Sequence, residues 1–200
     1  KDHQTQDVCR TYRLRCIQTD DVERDGTFSK GRMIERGLRL LSGDAWIVHL
    51  DADIVLPRRF RELLEIAHLE DDTVYGCDRI VVNGWDQWQK LQQSGWLGGK
   101  DWHPTAMSFP KGFPVGSRWV AEDGWVPIGF FQMWHRIGGG EEKYGCRTKG
   151  YPVHHGGACR TDVQFAHLFD RRKRALLPEL IVAHLENASP IFVRQPDRLQ

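Results

Sequence analysis

The stretch Ala45-Trp46-Ile47-Val48-His49-Leu50, followed at once by Asp51-Ala52-Asp53, sets the frame for the whole chain. A short, nearly continuous apolar run marks a strand buried on both faces, and two carboxylates two residues apart mark its exit. Upstream, Ser29 is a candidate N-cap for a helix reaching about Leu41, with Met33, Ile34, Leu38 and Leu41 on one face. Ser42-Gly43-Asp44 ends it. Downstream, Pro57 opens a second helix with Phe60, Leu63, Leu64 and Ala67 turned inward. Thr73 to Cys77 and Arg79 to Val82 read as further strand, and Tyr12 to Thr19 alternates apolar and polar residues as a strand does. This alternation of strand and helix predicts an α/β sandwich around a mostly parallel central sheet.

The chain's 200 residues suffice for one sizeable domain over 1–200. Lys plus Arg number 28 against 27 Asp plus Glu, so no strong global field recruits nucleic acid or an anionic membrane. The apolar runs fall far short of the roughly 18 residues that span a bilayer, so no transmembrane segment is expected. Cys9, Cys16, Cys77, Cys146 and Cys159 are odd in number and widely spaced. They read as reduced thiols of a cytoplasmic protein rather than a disulfide framework. Cys146 and Cys159, with His154 and His155 between them, lack the paired spacing of a structural zinc site.

Between residues 85 and 140 the texture changes to a loop-rich insert. Seven of the eight tryptophans lie here (Trp85, Trp88, Trp96, Trp102, Trp119, Trp125 and Trp134), among repeated glycines and prolines. From Arg160 a helical pattern returns, followed by the basic run Arg171 to Arg174 and the apolar segment Leu176 to Leu185. A basic last turn of a helix explains the run as well as contact with phosphate or an acidic partner does.

The carboxylate pair carries the sharpest chemistry. In open α/β sheets ligands bind beyond the carboxyl ends of the strands. Asp51 and Asp53 there can approach one hard divalent cation, Mg²⁺ or Mn²⁺, which keeps positions open for substrate phosphates. The competing reading is a polar strand exit that caps the next helix. Context weighs on the choice. Phe28-Ser29-Lys30-Gly31, Gly37-Leu38 and the run from Gly43 to Pro57 resemble the family 2-like glycosyltransferases of the GT-A fold, around their metal-binding D-x-D motif. Tyr75-Gly76-Cys77-Asp78-Arg79, Pro127 to Trp134, Thr161 to Phe165, Leu177-Pro178-Glu179-Leu180 and His184-Leu185 extend the resemblance over roughly Tyr12 to Glu186.

The resemblance implies a GT-A-like three-layer sandwich. It implies an enzyme that moves a sugar from a nucleotide-sugar, a UDP-sugar in the first instance, to a saccharide or other hydroxyl acceptor. Asp51 and Asp53 would hold the metal and through it the donor diphosphate, His184 would complete the metal site, and Lys30 would touch the diphosphate. Asp162 is placed either as the base that deprotonates the acceptor or as a helix cap, and both readings stand. His184 is equally a hydrogen-bonded core residue, and Lys30 an ordinary first-turn lysine. Trp125, Phe131, Gln132 and Trp134 are the expected substrate-facing residues, since indole stacks on the apolar faces of sugar rings. Core filling is the alternative for each. His154 and His155 line the site or are simply exposed.

The family's first strand, which helps form the nucleotide-base pocket, has no counterpart ahead of Tyr12, so an N-terminally incomplete domain is expected. Two rivals remain. One is a sugar-phosphate nucleotidyltransferase, which lacks its Gly-rich triphosphate loop here. The other is a catalytically inactive glycan-binding remnant of a transferase.

Overall fold

The computed structural model describes residues 3–18, 23–24, 27–41, 45–99, 107–136, 151–152 and 161–186. Within them the chain is a mixed α/β fold. In order come α1 (His3–Thr11), a small hairpin of β1 (Glu23–Arg24) and β2 (Thr27–Phe28), α2 (Lys30–Leu38), β3 (Ala45–Leu50), β4 (Ile54–Val55), α3 (Phe60–Ile66), β5 (Val74–Asn83) and α4 (Gly84–Ser94). A second small hairpin of β6 (Val120–Ala121) and β7 (Gly124–Trp125) follows, then β8 (Phe131–Arg136), α5 (Thr161–Ala166) and β9 (Arg174–Glu186). Residues 153–160, with His154, His155 and Cys159, lie outside the described residues, as do Trp102 and Cys146. Among the described residues no helix is long and apolar enough to cross a membrane.

The central sheet runs β3-β8-β5-β9-β4. Only β5 and β9 pair in parallel; β8 is antiparallel to both its neighbours, and β4 is antiparallel to β9. The sheet is therefore mixed rather than mostly parallel. The reason is β8, which returns from the tryptophan-rich insert and wedges between β3 and β5. Those two strands and β9 still point the same way, so their carboxyl ends share one edge.

Alternation along the strands separates two apolar faces. Trp46, Val48 and Leu50 pack with Ile80, Phe131 and Met133 against Leu63 of α3 and Leu91 of α4. Ile47 packs with Trp134, Tyr151 and Phe165 on the side of Ile34 and Leu38 of α2. Helices thus cover both faces of the sheet. Ser29 caps α2 as expected, its Oγ accepting from the Arg32 N–H at 3.4 Å, though the helix ends at Leu38.

Among the described residues of 85–140, α4 continues directly from β5 and carries Trp85 and Trp88, where a loop-rich insert was expected. Residues 12–18 form no strand, and Thr19 lies outside the described residues. They follow α1 as irregular chain, Tyr12, Leu14 and Ile17 are exposed, and among the described residues no strand pairs with them.

β5 is one strand where two pieces were expected, and the break at Asp78 has a structural cause. Cys77 faces Leu177 across the ladder, yet Asp78 faces Ile181. Pro178, Glu179 and Leu180 form a bulge in β9. Proline has no N–H to give a ladder, so a bulge is where a strand tolerates it.

Two glycines of α2 meet opposite surroundings. A Cβ on Gly31 would collide with the Pro152 carbonyl oxygen and stand 2.8 Å from Thr161 Cγ2, whereas one on Gly37 meets nothing within 4 Å. Gly31→Ala is expected to lower stability by about 1–3 kcal/mol through overpacking. Gly37→Ala is expected to raise it by roughly 0.5–1 kcal/mol through the lost flexibility of the unfolded chain. Urea denaturation midpoints of the two variants check the sign of each.

Candidate functional site

The segment Asp51-Ala52-Asp53 leaves the carboxyl end of β3 and is pinned at three points. Asp51 N–H donates to the Phe130 carbonyl at 3.2 Å, Ile54 N–H to the Asp51 carbonyl at 3.2 Å, and Leu185 N–H to the Asp53 carbonyl at 2.8 Å. These bonds fix the two carboxylates against different partners. Lys30, at the first position of α2, places Nζ 2.5 Å from Asp51 Oδ1, and His49 Nε2 lies 3.6 Å from the same oxygen. Burial pushes the Asp51 carboxyl up, but its contacts with His49 and Lys30 outweigh that and hold it below the usual carboxylate range.

Asp53 is turned toward β9 instead, where its Oδ2 lies 3.3 Å from His184 Nε2. The other ring nitrogen, Nδ1, is 3.6 Å from Glu186 Oε1. Two ligands on adjacent octahedral positions of a cation with bonds of roughly 2.1 Å stand about 3 Å apart. The Asp53–His184 spacing fits that, and the donor set of oxygen and imidazole suits Mn²⁺. Asp51 is not gathered with them, because Lys30 neutralises it. Among the described residues no group of three His, Cys, Asp or Glu is close enough to hold a metal.

Beneath this edge runs a buried polar chain. Gln132 is fully buried, and its amide Nε2 donates to the carbonyls of Pro127 at 2.8 Å and Asp162 at 2.9 Å. With both amide hydrogens committed, Oε1 accepts a hydrogen bond from the Tyr151 hydroxyl at 2.9 Å. The hydroxyl oxygen also lies 3.2 Å from His49 Nδ1. Since the phenol has spent its only hydrogen, that contact needs a proton on Nδ1. Nδ1–H is therefore the ring's donor to Tyr151, and the His49 contact favours the Asp51 carboxylate only when Nε2 carries a proton as well. Burial raises the Tyr151 pKa far above its usual value, helped by the nearby charges of Asp162 and Asp51, so its hydroxyl stays protonated.

Asp162 lies in the first turn of α5. Its Oδ2 accepts the Gly129 N–H at 2.5 Å and its Oδ1 the Val163 N–H at 2.9 Å. A Cβ on residue 129 would come within 2.7 Å of Oδ2, so glycine is what admits the carboxylate there.

The residues expected to face substrate are placed differently. Phe131, Gln132 and Trp134 are buried in the interior, Trp134 with its ring 4.6 Å from that of Phe165. The cause is again the interior position of β8, between β3 and β5 and covered on both faces. Trp125 is half-buried and lines a crevice with Gly76 and Arg79. His49, Tyr151 and Arg79 were missed among the site residues. A polar residue inside Phe130-Phe131-Gln132-Met133-Trp134 was a readable signal of a buried hydrogen-bond centre; Tyr151 had none, standing 102 residues from His49.

Comparison with family models, with curated proteins and with solved structures finds no match to the chain. The site therefore rests on its own geometry.

Tyr151→Phe removes the hydroxyl that Gln132 and His49 share. It is expected to cost about 1–3 kcal/mol, the penalty for an unsatisfied buried polar group. It should also release His49 from the Nδ1–H tautomer, seen in long-range ¹⁵N–¹H spectra of the imidazole. An unchanged tautomer would show that Tyr151 does not set it.

Proposed function

We propose that the chain is a metal-dependent glycosyltransferase of GT-A type, moving a sugar from a nucleotide-sugar, with UDP as the first nucleotide to test, to a hydroxyl acceptor. The observation that carries the reading is the Asp51-Ala52-Asp53 segment at the shared carboxyl edge of β3, β5 and β9, with Asp53 set against His184 at 3.3 Å. Asp53 and His184 would hold Mn²⁺ or Mg²⁺, with Asp51 joining if Lys30 moves to the diphosphate. The cation supplies charge neutralisation for the leaving nucleoside diphosphate.

The chain's own groups have separate tasks in this reading. Lys30 is a cation already poised beside Asp51, suited to a phosphate oxygen of the donor. In the transfer, the acceptor oxygen bonds to the anomeric carbon as the bond from that carbon to the diphosphate oxygen breaks, and the hydroxyl proton passes to a base. Asp162 is suited to that task in one respect: its carboxylate is fixed by two N–H donors and retains lone pairs beyond them. With Asp162 as base, direct displacement inverts the anomeric centre; without it a retaining course applies. Trp125 is the member of the expected substrate set with surface left to meet a sugar.

A second reading has an observation of its own. The Lys30–Asp51 ion pair leaves the D-A-D carboxylates on separate partners, as suits a glycan-binding module without turnover.

Calorimetric titration of UDP with and without Mn²⁺ separates the two. The transferase reading expects Mn²⁺ to tighten UDP binding by tenfold or more, about 1.4 kcal/mol, with Asp53→Asn abolishing the gain. Equal binding with and without the metal, or none at all, sinks it.

A further inference from the structure

The Arg79 side chain lies beside this edge, and among the described residues no carboxylate forms an ion pair with it. Its guanidinium carbon sits 4.5 Å from the centroid of the Phe130 ring. His184 stacks on the same ring, with centroids 6.4 Å apart and planes 16° off parallel. The stem is enclosed by backbone: a Cβ on Gly116 would stand 2.5 Å from both Cγ and Nε of Arg79. Nε is buried and has no hydrogen-bond partner among the described residues. The adjacent carboxylate, Asp78, is already held by both arms of Arg118 at 2.7 and 2.6 Å. Asp53 and Glu186 attract Arg79 through space, but neither pairs with it.

Arg79 is half-buried; partly desolvating a cation without a paired counter-ion costs free energy, and arginine cannot escape the cost by losing its proton. Burial pulls the Arg79 pKa down, an effect opposed by the carboxylates of Glu186 and Asp53. An anion supplied from outside would remove the cost. β8 separates β5 from β3, so Arg79 stands two strand spacings, about 10 Å, from the Asp51 edge where Lys30 waits. Its own surroundings are aromatic: the exposed Trp119, the half-buried Trp125 and Phe130 line the crevice with it. The crevice holds about 10 Å³ of free space, about one water, so it admits the tip of a substituent and not a sugar ring.

We propose that Arg79 recognises an oxyanion, a carboxylate or phosphate ester, carried by a saccharide acceptor whose ring rests on the exposed face of Trp119. The acceptor role rests on the transferase reading; recognition of an anionic saccharide does not. A planar guanidinium offers two parallel donors to such a group. The neighbouring indoles offer the apolar surface that a ring needs.

Saturation-transfer NMR with glucuronate, glucose 6-phosphate and neutral glucose tests this on the whole chain, with UDP plus Mn²⁺ titrated alongside. Wild type should bind at least one anionic sugar roughly tenfold more tightly than glucose. Arg79→Gln should erase that preference, and Arg79→Lys, which keeps the charge and loses the planar fork, should retain part of it. Thermal unfolding of both variants checks that the fold survives, and Arg79→Lys carries the test if Arg79→Gln does not fold. Equal binding of glucose and both anions, or a preference that outlives Arg79→Gln, overturns the proposal. So does an Arg79→Gln loss confined to UDP, which would assign the residue to the donor. If UDP fails to bind while the Arg79-dependent preference holds, the transferase reading falls and the anionic-glycan site stands.

Discussion

A buried amide must satisfy two donors and an acceptor, and at Gln132 those requirements tie the architecture together. Its two N–H groups hold the Pro127 carbonyl, and with it the turn that leads into β8, against the first turn of α5. Its oxygen takes the Tyr151 hydroxyl, which in turn meets His49 one residue before the end of β3. Three segments far apart in sequence are thus held by one side chain inside a strand that is covered on both faces. In a low-dielectric interior such a network is stabilising only when every member is paired, so its geometry is demanding. Asp162 belongs to the same arrangement, since its carboxylate grips Gly129 just ahead of Phe130, the residue whose carbonyl receives the Asp51 N–H.

The electrostatics of the edge follow from this frame. Asp51 and Asp53 lie two residues apart in sequence, yet the pinned backbone between them turns one toward α2 and the other toward β9. One meets an ammonium, which holds it ionised; the other meets an imidazole. A strand exit that merely capped the next helix would not divide its carboxylates this way. Phe130 marks the other flank, with Arg79 and His184 both against its ring.

What could be read from sequence was local. Ala45 to Leu50 announced a strand by its apolar run, though at the end of the sheet order it buries only Ile47. Ser29 announced a helix start by capping chemistry, whereas α3 starts at Phe60, past Pro57; the inward residues of α3 followed from spacing. The direction of β8 was not legible, because which strand enters between which others is a pairing across more than 50 residues with no local signature. With 85–140 read as a loop-rich insert, Phe131, Gln132 and Trp134 were expected to face substrate, since their polarity and aromaticity suit a binding face as readily as a core. Tyr12 to Thr19 shows the converse error: alternation signals a strand only where a partner edge exists. The D-A-D segment was legible as a carboxylate pair, but the placing of Tyr151 against His49 and of Arg79 against Phe130 was fixed by tertiary packing alone.

The bulge at Pro178 to Leu180 adds a constraint of another kind. Beyond it, His184 is aligned with Val81 on one side and Ile54 on the other. Because side chains alternate faces, the three extra residues set which way His184 points. Substituting any one of them leaves that phase intact, whereas deleting one would turn His184 away from Asp53 without touching either residue. Over evolutionary change the segment should therefore hold its length more strictly than the identity of its half-buried Glu179, while Leu180 stays apolar by its burial.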